Sequence, residues 1–349
     1  MLIAVVVGIV AVLAALEILS LVFSIKSVYF RCETDMELTE PDEIATLSFR
    51  VSNRSFWPLM FVSFSFIFND AVEVRESREW LDKHAGGSML TEFYTYDTYL
   101  MPKTAFRRKL HFSIKKRGCF DLGKIYIETG DFLGLKTRVM SFSLDKRIVC
   151  TAKPCEDEPD LAALGGIMGE LSVRRFIMED PSLVLGYREY TGTEPFKSIS
   201  WTQTAKTGRL TVKKHDFTVD NDVAVIVDLE FTEPEVRERC LSLVRTACDF
   251  LEENRIPYAL HSNGDLFDTA KGIGRTHSFE IQRRLGVSMF TRFVPFEDTV
   301  QRSIGGGYGR TGCIVIAPEA TPETAELTRR LSEHSGAPVC LLLGKGESA

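Results

Sequence analysis

The strongest constraint on this chain lies at its start, where Leu2 to Phe23 form an apolar run whose one charge is Glu17. That length approaches the ~20 residues a helix needs to cross a bilayer. A secretory signal would want a basic start, a shorter core and a small-x-small cleavage site, and no Lys or Arg precedes the run. The run therefore predicts a retained transmembrane anchor over residues 1–25. Lys26 and Arg31 follow it closely, and the positive-inside bias places the bulk of the chain in the cytoplasm. The expectation is a single-pass protein of the inner (plasma) membrane.

Beyond the anchor the chain must fold by itself. It has 349 residues, more than one hydrophobic core usually holds, so two folded units are expected. With 44% hydrophobic and 26% charged residues, long disorder and a many-span membrane protein are both excluded. A net charge of -6 gives no global attraction to a polyanion, so no nucleic-acid partner is expected. Cys32, Cys119, Cys150, Cys155, Cys240, Cys248, Cys313 and Cys340 form no CxxC pair, the pattern of reduced thiols in a cytosolic setting.

Over residues 28–152 the chain reads as strands. "IATLSFRVSN", "FVSFSFIFN", "RRKLHFSIKK" and "GKIYIETG" alternate or run apolar between turn signals, which predicts a β-sandwich-like domain. The acidic "KPCEDEPD" (Lys153 to Asp160) opens a linker and signature segment over 153–221. From Asp222, strands such as "VAVIVDLE", "YALHSNG", "CIVIAPE" and "PVCLLLG" alternate with helical stretches. That order predicts a parallel sheet with covering helices over 222–349. The helix from about Glu233 to Glu253 carries Val236, Cys240, Leu243, Val244, Ala247, Phe250 and Leu251 on one stripe, a core-facing pattern.

Between the two patterns stands "EDPSLVLGYREYTGTEPFKSISWTQTAKTGRLTVKKHDF", with Gly186, Arg188, Tyr190, Gly192, Pro195, Lys197, Ile199, Trp201, Ala205, Thr207, Gly208, Leu210 and Val212. It resembles the signature of the domain-of-unknown-function 58 family. "KKRGCFDLGKIYIETGDFLGLKTR" upstream, with Arg117, Gly118, Phe120, Asp131, Phe132 and Gly134, resembles a second block of that family. The resemblance implies a membrane tether, a β-sandwich-like region and a C-terminal α/β region like a von Willebrand factor A domain (Rossmann-like). It also implies a protein partner, a MoxR-type AAA+ ATPase. Two departures are Gly192-Thr193-Glu194, where many members have Gly-Asp, and Ser200 before the Trp.

Arg188, Lys197, Lys206, Arg209, Lys213 and Lys214 make the signature basic within an acidic chain, fit for an acidic partner surface or the anionic inner leaflet. The partner-binding candidates are Arg188, Tyr190, Glu194, Lys197, Trp201, Lys206 and Arg209. The alternative is packing, with Trp201 buried and Arg188 paired to Glu179, Asp180 or Glu194.

In von Willebrand factor A domains the first strand ends in Asp-x-Ser-x-Ser and holds Mg²⁺. The run here is Asp228-Leu229-Glu230-Phe231-Thr232, which keeps the first Asp and a final hydroxyl but puts Glu in the middle. Asp228, Glu230 and Thr232 are the candidate ligands, with Asp265 and Thr269 as later ones. The replaced Ser counts against Mg²⁺, and no cofactor is expected.

A hydrolase would need clustered carboxylates or His, and His215 is the one His near the signature. "SIGGGYGRTG" lacks the phosphate-loop spacing and precedes a strand. The expectation is a non-catalytic membrane-tethered adaptor that docks a partner through its C-terminal unit, in envelope biogenesis or stress. The rivals are a metal-dependent hydrolase using Arg188, Glu194 and Lys197 with a cation at Asp228, and a binder of anionic lipid surfaces.

Overall fold

The computed structural model describes residues 2–26, 28–77, 81, 83, 85–88, 91–130, 137–157, 160–166, 169, 180–192, 196–216, 222–306 and 312–345. Helix α1 covers Leu2–Lys26, and its described side chains run from Val5 to Leu19. Among the described residues no helix is long and apolar enough to cross a membrane. The expected transmembrane anchor over 1–25 is corrected accordingly, and so is the single-pass inner-membrane placement with a cytoplasmic bulk.

The chain divides into two compact units, the first being Met1–Ala152 with Gln282–Val287. Its strands in order are β1 (Val28–Thr34), β2 (Leu38–Thr39), β3 (Ala45–Asn53), β4 (Leu59–Phe68), β5 (Val72–Val74) and β6 (Ala85–Ser88). They continue as β7 (Thr91–Leu100), β8 (Ala105–Ile114), β9 (Gly118–Asp121), β10 (Gly123–Gly130), β11 (Thr137–Ser143) and β12 (Arg147–Cys150). Two larger sheets, β1-β3-β8-β5 and β11-β10-β4-β7-β6, accompany a small third one, β2-β12-β9.

Alternation decides what each sheet face shows. In β3, Ala45, Leu47, Phe49 and Val51 are buried, whereas Ser48, Arg50 and Ser52 turn outward. Phe64 and Phe66 of β4 are fully buried in the same core, and the rings of Phe49 and Phe66 lie 4.7 Å apart across the two sheets. Burial of each such Phe contributes roughly 1.5–3 kcal/mol. Gly123 opens β10 at φ 118, and a Cβ there would stand 2.1 Å from the Ile67 carbonyl oxygen, so only glycine fits. All eight cysteines are free thiols, and Cys119 on β9 is the exposed one.

The second unit is Lys153–Ile281 with Ser288–Ala349. The acidic segment that reads as a linker is anchored to helix α3 (Pro234–Glu253). There Arg239 pairs with Asp157 at 2.6 Å and with the buried Asp160 at 2.9 Å. The Cys155 amide also donates to Thr246 Oγ1 at 2.7 Å.

Strands β13 (Asp180–Glu189) and β14 (Thr211–Asp216) pair antiparallel and flank the short helix α2 (Trp201–Thr207). Strands β15 (Val223–Val227), β16 (Tyr258–Ser262), β17 (Gly312–Ala317) and β18 (Val339–Leu343) form a parallel sheet in the order β16-β15-β17-β18. Helix α4 spans Arg275–Val287, α5 Phe296–Gly305 and α6 Pro322–Ser335. Every residue of β15, β16 and β17 is buried, as expected of strands covered on both faces. Residues from α5 and α6 (Phe296, Val300, Leu327, Leu331) pack against Ala224, Ile226 and Val315.

The expected fold class is corrected. The chain is mostly β, and its second unit carries a four-stranded parallel sheet beside the β13–β14 pair. It is not a von Willebrand factor A-like (Rossmann-like) domain, whose doubly wound sheet has six strands in the order 3-2-1-4-5-6. Strand–helix alternation announces a parallel sheet, but it does not specify which domain family that sheet belongs to.

Candidate functional site

The neighbours of β15 in the sheet lie on either side of it, β16 on one and β17 on the other. The connection leaving β15 runs to β16 on one side and the connection leaving β17 runs to β18 on the other, so the crevice opens between the carboxyl ends of β15 and β17. Asp228 is the first residue past the end of β15. Its amide donates to the Ile316 carbonyl of β17 at 2.8 Å, which carries the strand direction one residue beyond β15.

The Asp228 side chain is 5% exposed, and its Oδ1 accepts from Asn263 Nδ2 at 2.7 Å. Asn263 Oδ1 in turn accepts from the Leu229 amide at 2.7 Å. The Asn263 carbonyl takes the amides of Phe293 and Val294 at 2.8 and 3.0 Å. One buried asparagine thus ties together the loops after β15 and β16 and the segment before α5. Burial pushes the Asp228 carboxyl up to about 6, against the opposing hydrogen bond from Asn263, with the Glu230 charge adding to the rise.

Gly264 follows Asn263 because no side chain fits there, since a Cβ would meet the Thr291 carbonyl oxygen at 1.9 Å. Asp265 Oδ1 accepts from Ser288 Oγ at 2.8 Å and its Oδ2 from the Met289 amide at 2.6 Å. Thr269 Oγ1 accepts from the Leu260 amide at 2.8 Å. Both residues, candidate ligands by position, act as loop fasteners. His261 Nδ1 lies 3.7 Å from Asp268, which Arg302 grips at 2.8 Å, and burial holds the His261 pKa below its usual range.

Over this buried polar frame stand exposed apolar side chains. Phe231, on the Asp228 loop, is 97% exposed. Phe267, Phe293 and Met289 are also exposed, with the Phe267 and Phe293 rings 5.9 Å apart. Sequence reasoning named Phe231 only as a spacer and missed Asn263, Phe267 and Phe293. The available signal was the Asn-Gly pair directly after a strand.

The signature residues gather elsewhere in the unit. β13 pairs Arg188 with Val212, the Tyr190 amide donates to the Leu210 carbonyl at 2.9 Å, and the Tyr190 ring lies 6.0 Å from that of Phe196. Arg209 pairs with Glu189 at 2.8 Å, and that hydrogen bond holds its pKa above the ordinary value. Arg188, Lys197, Lys206 and Arg209 are exposed. Trp201 is 65% exposed, so the packing alternative for it fails. Glu194 lies outside the described residues, as do Asp131 to Gly134 of the upstream block and residues 307–311 of the glycine run. None of the described signature side chains shares a hydrogen bond with Asp228.

Mg²⁺ fits this donor set poorly. The Asp228 oxygen already receives an amide N–H, and Glu230 is exposed. Neither joins a cluster of three His, Cys or carboxylate ligands among the described residues. The one such cluster, Cys155, Asp157 and Asp160, already has its charge answered by the Arg239 guanidinium.

No family model matches the chain, and no curated protein matches it. Solved structures similar to it include a FixG-related protein from Vibrio parahaemolyticus, at 9% identity over 36% of this chain and 98% of that one, TM-score 0.20. An uncharacterized protein from Nocardia farcinica described as having an immunoglobulin-like fold is 11% identical over 32% and 81%, TM-score 0.21. A cohesin module from a Clostridium perfringens family 33 glycoside hydrolase is 9% identical over 36% and 98%, TM-score 0.22. At such scores the likeness carries no argument.

Proposed function

We propose that this chain is a non-catalytic protein-interaction module whose docking edge is the carboxyl edge of the β16-β15-β17-β18 sheet. The observation that carries this reading is Phe231, 97% exposed on a loop whose base, Asp228 and Asn263, is buried and hydrogen-bonded. Such an aromatic on a rigid base loses little freedom when a partner covers it, the usual condition for a binding hot spot.

Glu230, Glu233, Glu235 and Glu323 are exposed on the Asp228 loop and at the starts of α3 and α6. The favoured partner segment is therefore apolar, flanked by Lys or Arg. The resemblance of the Gly186–Val212 signature to the domain-of-unknown-function 58 family suggests a MoxR-type AAA+ ATPase as the protein that carries it. The hydrolase rival loses support because Arg188 and Lys197 stand exposed on the signature hairpin, apart from the hydrogen bonds of Asp228.

The test is a calorimetric titration of the chain with the purified MoxR-type ATPase of the same organism. A saturable complex is expected, weakened about tenfold or more by Phe231→Ala, as for a central aromatic anchor, with an unchanged melting midpoint. No complex, or equal affinity for the variant, would overturn the reading.

A further inference from the structure

The first unit carries an arrangement that neither the docking reading nor the stability of the sheet calls for. In the antiparallel register of β1 with β3, Arg31 stands opposite Arg50, and in that of β3 with β8, Arg50 stands opposite Arg107. Three arginines thus form one row across three adjacent strands, all exposed on the outer face. Strands lie about 4.8 Å apart, so the row spans about 10 Å.

Like charges directly opposite one another destabilise a sheet, and one acid among the described residues answers the row, Glu33, at 2.9 Å from Arg31. The rungs on either side hold small residues at their centres, Ser48 between Glu33 and Lys109, and Ser52 between Tyr29 and Ala105. They leave a hollow of ≈ 620 Å³ over Arg31, Arg50, Arg107 and Lys109. An adjoining hollow of ≈ 480 Å³ shares Arg31 and Arg50 and adds Arg54, whose guanidinium is stacked 3.9 Å over the Tyr29 ring. In a chain of net charge -6, this concentration of positive charge is not a matter of composition.

We propose that the outer face of the β1-β3-β8 sheet binds a small oligophosphate, a ligand of directly linked phosphate groups laid across the strands along Arg31, Arg50 and Arg107. The guanidinium fork presents paired N–H donors that match phosphate oxygens two at a time. A linked phosphate chain offers one such group after another within the short length of the row. Successive carboxylates of an acidic peptide are set apart by backbone, and they alternate in direction when extended. The hollow is open and lies on a rigid sheet, so binding needs no rearrangement of the backbone. Glu33 is the opposing charge within reach, and it tunes the affinity downward.

The experiment is a calorimetric titration of the full chain with inorganic tripolyphosphate, at low and at moderate salt. Saturable 1:1 binding is expected, weaker at moderate salt because exposed charges are screened. Arg50→Ala and Arg107→Ala should each weaken it by about tenfold or more, as loss of a bidentate contact does, and Glu33→Gln should strengthen it. The arginine variants should melt at the same temperature as the parent or higher, since each removes repulsion from the row; that separates lost binding from lost folding.

Absence of binding would overturn the proposal, as would equal affinity in both arginine variants. Two further results would do the same: polyglutamate binding as tightly as tripolyphosphate, or capture by phosphatidylglycerol vesicles without affinity for the free oligophosphate. The site lies in the first unit, so its failure leaves the Phe231 docking edge standing, and the reverse holds equally.

Discussion

Replacing Gly264 by alanine is expected to cost about 3 kcal/mol or more, at the upper end of what overpacking a closed site costs. The added methyl would meet the Thr291 carbonyl oxygen at 1.9 Å and the Leu229 side chain at 3.0 Å. A backbone oxygen does not rotate away as a side-chain tip does. To make room, the Gly264 and Arg292 backbones, paired as an isolated bridge, must separate. That movement pulls on Asn263, whose carbonyl holds the Phe293 and Val294 amides. The proposed docking edge would lose its base together with part of the unit's stability. Urea denaturation of parent and variant measures the difference, and a variant within about 0.5 kcal/mol of the parent, the range of ordinary surface changes, would show that the loops after β15 and β16 are not packed as described.

The second large effect runs the other way. Asp228→Asn is expected to stabilise the chain at pH 8 by about 1–3 kcal/mol, the scale of a carboxyl whose pKa is raised by about two pH units on folding. Burial raises the Asp228 pKa from 3.8 to about 6, so between those values the folded chain holds a proton that the unfolded chain has released. Its contribution is therefore fully present below about pH 4 and lost as pH rises through 6. Asparagine keeps an acceptor oxygen for Asn263 Nδ2 and has no charge to desolvate, so the variant should lack this part of the pH dependence. Melting midpoints at several pH values between 4 and 8 test it. If Asp228 instead bound a cation as an ionised ligand, Asp228→Asn would destabilise at pH 8 in the presence of Mg²⁺, and that sign would restore the metal reading.

These two sites also show what could be read in advance. The alternation in "IATLSFRVSN" is the buried–outward pattern of β3, and the unbroken "VAVIV" is the wholly buried β15. The stripe through Cys240, Leu243, Val244 and Ala247 is the covered face of α3. Each is a local regularity, imposed by the period of the element itself. What stayed hidden depends on register or on distant partners. Asp228 could be placed at a strand end, but its partner Asn263 is 35 residues away, and no spacing rule links the two. Arg31, Arg50 and Arg107 look like ordinary outward positions until pairing sets them side by side.

For Trp201 the sequence left burial open beside partner binding, because aromatic size favours burial on average; a helix of 7 residues beside a two-stranded pair has too little cover to bury it. The apolar run at the start set an expectation of a membrane span, and among the described residues no helix is long and apolar enough to cross a membrane.

The free thiols have a practical consequence. Burial raises the pKa of Cys150, Cys240 and Cys313 to about 12 and that of Cys340 to about 11, and it moves Cys32, Cys155 and Cys248 in the same direction. Alkylating reagents attack the thiolate, so Cys150, Cys240, Cys248 and Cys313 are shielded twice, by cover and by protonation, and the half-buried Cys32, Cys155 and Cys340 chiefly by protonation. Cys119, exposed on β9, is left as the place where a maleimide dye attaches to the native chain. The unmodified protein thus comes with one fully exposed handle for fluorescence, on the same unit as the arginine row, and ligand binding there becomes readable without engineering a label into it.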